Sequence, residues 1–146
     1  MNIFTDIINN KCIYIPLLLW FLIQTYKVIV DLIINRKFNI KRIMGAGGMP
    51  SSHSAVVCSL SMLIGKEYGF ESGIFAVSII MAFIVMYDAA GVRRAAGKQA
   101  RILNKILETP GMSTVEVQEK LIVALGHTPV QVFVGAAIGI VVGLVC

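Results

Sequence analysis

Residues 13–34 form one long apolar run, interrupted only by Gln24, Thr25, Lys27 and Asp31 among its clearly polar residues. A helix rises about 1.5 Å per residue, so roughly 20 apolar residues cross a hydrocarbon core about 30 Å thick. In lipid, each backbone N–H and C=O must find its partner inside the segment, which leaves a helix as the conformation for such a run. Three further apolar segments follow, at 52–65, 73–90 and 129–146. The chain is 57% hydrophobic and 14% charged, where a soluble domain carries about a quarter charged residues. The expected fold is all-α: an integral membrane helical bundle of about four transmembrane helices, one domain over residues 1–146. The run beginning at Cys12 has no small-residue cleavage site and is expected to persist as a helix rather than be removed as a signal peptide.

Lys27 and Asp31 are four apart and share a helix face, where they can partly neutralise each other. Polar residues in a span, here Gln24, Lys27 and Asp31, are functional candidates by default, and snorkelling toward the interface is the favoured alternative. The second segment is short for a span. Either Tyr68 and Phe70 lengthen it, or its N-terminus is recessed and puts His53 in a pocket. Between the third and fourth segments, residues 91–128 are polar and are expected to hold short amphipathic helices. Ile102, Leu103, Ile106 and Leu107 make an apolar stripe beside Arg101 and Lys105, the pattern of a helix lying on a membrane. Pro110-Gly111 breaks the chain. Ser113 with Glu116 reads as a capping box opening a second short helix, with Val117, Leu121, Ala124 and Leu125 as its apolar face and Gly126 as its stop. Thr128-Pro129 reads as the N-cap and first turn of the last span. Cys12, Cys58 and Cys146 are scattered, without metal-ligand spacing or a disulfide framework.

The net charge of +5 is concentrated. Arg36, Lys37, Lys41 and Arg42 lie in one loop, and Arg93, Arg94, Lys98, Arg101 and Lys105 in another. Basic clusters beside membrane helices attract anionic headgroups. Nothing reads as a separate nucleic-acid-binding domain. Both basic loops fall on one side of a four-span bundle. The positive-inside rule makes that side cytoplasmic in a multi-pass cell-membrane protein, with both termini outside.

The chemistry concentrates at Gly-Gly-Met-Pro-Ser-Ser-His-Ser, residues 47–54, where a basic loop meets the second span. A helix start presents unpartnered N–H groups and the positive end of the helix dipole, both favourable to anions. An imidazole beside it can move a proton. The chain has two histidines, His53 and His127, each at the start of an expected helix. The proposed topology brings His53, Asp88, Arg93, Arg94 and His127 to one membrane face. Phosphoryl transfer without a metal fits this set. One histidine attacks phosphorus, the other protonates the leaving oxygen, and arginines with backbone N–H groups hold the remaining oxygens. No carboxylate cluster has metal-ligand spacing, and no cofactor is expected.

Pro50-Ser51-Ser52-His53 resembles the Pro-Ser-Gly-His motif of the type-2 phosphatidic acid phosphatases, relatives of the vanadium-dependent haloperoxidases. His127, Gln131, Val132, Gly135 and Gly139 resemble that family's His-x-x-x-Asp-Val-x-x-Gly-x-x-x-Gly. With Asp-Ala-Ala-Gly-Val-Arg-Arg (88–94) and Gly-His-Thr-Pro (126–129), the chain is most similar to the short divergent branch of that superfamily, over about residues 10–146. The resemblance implies His127 as nucleophile and His53 as general acid. It implies Ser51 and Ser52 on phosphate oxygens, Arg93 or Arg94 in place of the arginine of a Ser-Arg pair, and Lys41 or Arg42 in place of a first basic motif. Three departures stand out. Gln131 replaces the aspartate that orients the nucleophile, the Ser-Arg pair is absent as such, and the first basic motif has no arginine-proline pair. Asp88 has two open roles: a substitute carboxylate for one of the histidines, or an ion-pair partner of Arg93 or Arg94.

These features lead to a membrane lipid phosphatase whose substrate is a phospholipid or prenyl phosphate, working through a phosphohistidine. A non-catalytic phospholipid-binding or transport protein with the same anion pocket is the alternative. A structural subunit is a third possibility. Gly135, Gly139 and Gly143 recur every four residues, a close-packing pattern in membrane helices that also permits a homodimer.

Overall fold

The structure is a computed structural model, and it describes residues 2–36, 48–108 and 126–146. The described residues are helical, in the order α1 (Ile3–Asn9), α2 (Lys11–Asn35), α3 (Ser52–Tyr68), α4 (Gly73–Ala90), α5 (Val92–Leu107) and α6 (Pro129–Val145). α2, α3, α4 and α6 coincide with the four expected spans. α3 reaches Tyr68, the lengthened form of the two considered. The short α1 was not anticipated, and α5 begins at Val92, earlier than the stripe at 102–107 suggested. Lys41, Arg42, Gly45, Gly47 and the helix expected after Ser113 lie outside the described residues.

Large apolar side chains lie on the outside: Phe21 and Ile33 on α2, Ile80 and Phe83 on α4, Phe133 and Val141 on α6. The interior is small and hydroxylated, with Ala55, Ser54, Ser59, Ser61, Ala82 and Ala89 buried. In water, so extensive an apolar surface would drive association. In hydrocarbon it is the solvent-facing surface, and small residues inside let helices approach closely. Lys11–Ile34 and the run Gly73–Leu107 that contains α4 are long and apolar enough to cross a membrane, while α6 is apolar and shorter.

α3 is the central helix and packs against α2, α4 and α6. Its contact with α6 positions the site. A Cβ on Gly135 would meet the Ser51 carbonyl, one on Gly139 the Ala55 carbonyl, and one on Gly143 the Ser59 carbonyl and Met62. Steps of four on α6 match steps of four on α3 in the same chain direction, so the two helices are parallel and in register. The pair is tied at both ends. Ser51 N–H donates to the Gln131 carbonyl at 3.0 Å, and Lys66 Nζ donates to the Leu144 carbonyl at 2.9 Å. On the other flank, the Ser61 hydroxyl lies 2.9 Å from the Val57 carbonyl and 3.0 Å from the Ser78 carbonyl, linking α3 to α4.

Lys27 departs from the expected snorkelling. It is only 6% exposed and faces inward with Gln24 and Ile23. Three-residue and four-residue steps place Ile23, Lys27 and Val30 on one side of α2, and that side carries the contact with the bundle.

Candidate active site

Parallel register sets the N-termini of α3 and α6 side by side, and with them the two histidines. The rings of His53 and His127 lie 6.1 Å apart between centroids, at 64° to one another. They are 74 positions apart in sequence, counted from 127 − 53. His53 is in the first turn of α3, whose N-cap is Ser51. The Ser51 hydroxyl accepts from Ser54 N–H at 3.4 Å and lies 3.0 Å from the Ser54 hydroxyl. Ser51 and Ser52 are both buried, and the Ser51 oxygen is already engaged in closing the helix end.

His127 is 2% exposed. Its backbone N–H donates to the Ala89 carbonyl at 2.9 Å, which joins the end of α4 to the start of α6. Gly126 makes this approach possible. Its φ of +88° suits glycine, and a Cβ there would strike the backbone of Arg93 and Arg94. Thr128 and Gln131 form a capping box. Gln131 Oε1 accepts from Thr128 N–H at 2.9 Å, and that donor determines which end of the amide faces inward. The same oxygen lies 3.3 Å from His127 Nδ1. An oxygen facing Nδ1 requires the proton on Nδ1, so the Nε2 lone pair is left for chemistry. His127 Nε2 and His53 Nδ1 are buried, with no hydrogen-bond partner among the described residues.

Burial pushes the His127 pKa below the usual histidine value, and the Lys27 charge adds to that effect; the Gln131 bond and the Gly48 backbone partly offset it. Burial and the Lys27 charge thus favour the neutral imidazole. The same shift couples to stability. As pH falls below about 6.5, the unfolded chain takes up a proton that the fold resists, so stability declines down to the lowered folded pKa. Above that range both states are neutral and this group contributes no slope. Unfolding in detergent, compared at about pH 7.5 and about pH 5.5, is expected to show lower stability in acid, with a shallower dependence in His127→Gln.

Asp88 and Arg93 form an ion pair, with Arg93 Nε donating to Asp88 Oδ2 at 2.6 Å. No hydrogen bond among the described residues joins Asp88 to either imidazole, so the observed contact is the ion-pair alternative. Both charges are near enough to bear on His53. Arg94 is exposed in the first turn of α5, with its backbone against Gly126. One end of the bundle thus gathers His53, His127, Ser51, Ser52, Asp88, Arg93 and Arg94.

Two contributors go beyond the favoured sequence reading. Lys27 lies close enough for its charge to act on both histidines. Its signal was legible: a cation in a span is costly unless it faces a polar interior. The Thr128-x-x-Gln131 capping box was also readable as a string. Its consequence for the His127 tautomer was not, because that depends on where the amide points.

The fold and site define a membrane-embedded helical protein with paired histidines at adjoining helix N-termini. The sequence model of the Divergent PAP2 family matches residues 8–142. The chain is 43% identical over 133 residues to a protein of Bacillus subtilis (strain 168) bearing the name Uncharacterized membrane protein YuiD, with 84% of each chain covered. No solved structure matches the chain. The chain belongs to the divergent PAP2 family.

Proposed function

We propose that this protein is a metal-independent phosphatase for a lipid phosphate or diphosphate headgroup. The observation that carries this reading is the 6.1 Å pairing of His53 and His127, with the lone pair of His127 assigned to Nε2 by Gln131. His127 Nε2 attacks phosphorus, forming the N–P bond as the bond to the leaving oxygen breaks. His53, whose cationic form is favoured by the bound phosphate anion, gives its proton to that oxygen. Water then attacks the phosphohistidine, His53 takes a proton from it, and phosphate leaves. Arg93 and the first N–H groups of α3, at Ser52 and His53, balance charge on the equatorial oxygens. Lys41 and Arg42, beyond the described residues, are assigned the same task from the resemblance. The basic residues of α5 support a cytoplasmic orientation for this end.

The test is purified protein with phosphatidate, phosphatidylglycerol phosphate or a prenyl diphosphate, with metals chelated. Phosphate release through an acid-labile phosphoenzyme is expected. No release from any of them overturns the proposal.

Gln131 favours a second reading, a pocket that binds phosphate without cleaving it. An amide orients the nucleophile but cannot stabilise imidazolium as a carboxylate does, and the corresponding exchange in a serine-protease triad costs about 10⁴ in kcat. Gln131→Glu separates the two. A glutamate keeps the acceptor for Thr128 N–H and adds charge beside Nδ1. Under the phosphatase reading, turnover is expected to rise about tenfold or more; under the binding reading it stays at zero. Asp88 acts as a positioning residue that holds Arg93. Asp88→Asn is expected to retain turnover within about tenfold of wild type, since an exposed ion pair contributes about 0–1 kcal/mol. Complete loss in a folded protein would assign Asp88 to the reacting atoms.

A further inference from the structure

Two apolar cavities lie along one seam between α2 and α6. The first has a volume of 560 Å³ and is lined by Leu22, Ile23, Tyr26 and Val30, by Met49 and Pro50, and by Val134 and Ile138. The second, 350 Å³, is lined mainly by α2 from Lys11 to Leu22, by Val142 of α6 and by Cys146, the residue that caps it. Leu22 borders both, so they form one groove. α2 and α6 touch each other little because α3 stands behind the seam and takes the contacts of both.

One end of the groove adjoins the histidine-bearing start of α3. Its upper wall, Met49-Pro50, runs directly into Ser51-Ser52-His53. On α2, buried Lys27 sits between Ile23 and Val30, and its charge bears on both histidines. From there the groove follows α6 from Val134 to Cys146, about 18 Å of helix at 1.5 Å per residue. Half of a hydrocarbon core about 30 Å thick is about 15 Å, so the groove matches the reach of one chain from one leaflet. A cavity of this volume also falls in the usual range for small-molecule sites, about 300–1,000 Å³. A third cavity, 450 Å³, is polar, bordered by Asp6, Asn9 and Glu67 near the first turn of α2, and meets the far end of the second at Lys11.

We propose that the α2–α6 groove seats the hydrocarbon chain of a phosphorylated lipid, with its phosphate between Lys27 and the two histidines. The inference rests on the phosphate-site reading and adds where the substrate's chain lies and how it enters: along α2 and α6, sideways from the bilayer. Buried Lys27 beside the histidine end, and hydrocarbon along the groove, select a molecule that is anionic at one end and apolar over one leaflet's depth. A water-soluble phosphate would leave the groove unused.

The test uses the full chain in phosphatidylcholine vesicles with a long-chain alkyl phosphonate bearing a diazirine midway along the chain. The carbon–phosphorus bond blocks turnover, so labelling reads binding alone. The matched long-chain alcohol is the control. Expected labels fall on Leu22, Tyr26, Val134 and Ile138, at least fivefold above the alcohol, and are displaced by unlabelled phosphatidate. Labels spread over the outer faces of α4 and α6, or equal labelling by the alcohol, overturn the proposal. Groove labelling in a protein that releases no phosphate from any lipid upholds the groove and removes the hydrolytic reading. Phosphate release with labels elsewhere does the reverse.

Discussion

Replacing His127 by alanine is expected to lower phosphate release from a lipid substrate by at least about a thousandfold, with the bundle still folded. The magnitude follows from the role. Removing a covalent nucleophile takes away the whole reaction path, and residual rates then reflect binding and charge stabilisation alone. Retention of the fold follows from the contacts. The bond from residue 127 to the Ala89 carbonyl uses the backbone N–H, which alanine keeps. Gln131 retains its bond to Thr128 N–H, so α6 remains capped. The check is phosphate release together with helical circular dichroism and monodispersity in detergent. Equal release from His127→Ala and wild type would end the phosphohistidine mechanism. His53→Ala is expected to differ in kind. A leaving group that needs no proton, such as a nitrophenolate, should recover part of the lost rate in that variant and none in His127→Ala.

The second large effect is structural. Gly139→Leu is expected to prevent stable folding, because the added Cβ alone meets the Ala55 carbonyl. That neighbour is helix backbone, which cannot rotate away as a flexible side chain does. Overfilling a packed contact costs about 1–3 kcal/mol even where neighbours can adjust. At this position α6 must separate from α3 along the whole zipper of Gly135, Gly139 and Gly143. The measurement is thermal unfolding in detergent with gel filtration. Gly139→Ala, carrying only the Cβ, is expected to lie between leucine and wild type. Any variant of the pair that folds should also have lower turnover, since separating α3 from α6 separates His53 from His127. Wild-type stability in Gly139→Leu would show that the glycines serve another purpose.

Much of this molecule was legible along the chain. Apolar runs of span length specify helices in lipid because the backbone has no other way to satisfy its polar groups. α2, α4 and α6 accordingly fall where the runs do. The candidate residues were legible as well, because two histidines at helix starts, accompanied by serines and arginines, are rare in so apolar a chain. Lys27 was misjudged for a physical reason. A lysine on a long helix can reach the interface or turn inward, and local spacing does not distinguish the two. Burial against α3 does.

Hydropathy and short strings by themselves determined that this chain is a helical membrane bundle with two histidines at helix starts, accompanied by serines and arginines. Only the tertiary structure decided that α3 and α6 run parallel and in register, that Gln131 presents oxygen to His127, and that Asp88 holds Arg93. The reason is range. Hydrophobic runs and caps are set by neighbours a few residues away, and a sequence displays those directly. The pairing of His53 with His127 depends on backbone-to-glycine contacts between segments some eighty positions apart (135 − 51 = 84), and such contacts exist only once the helices have packed.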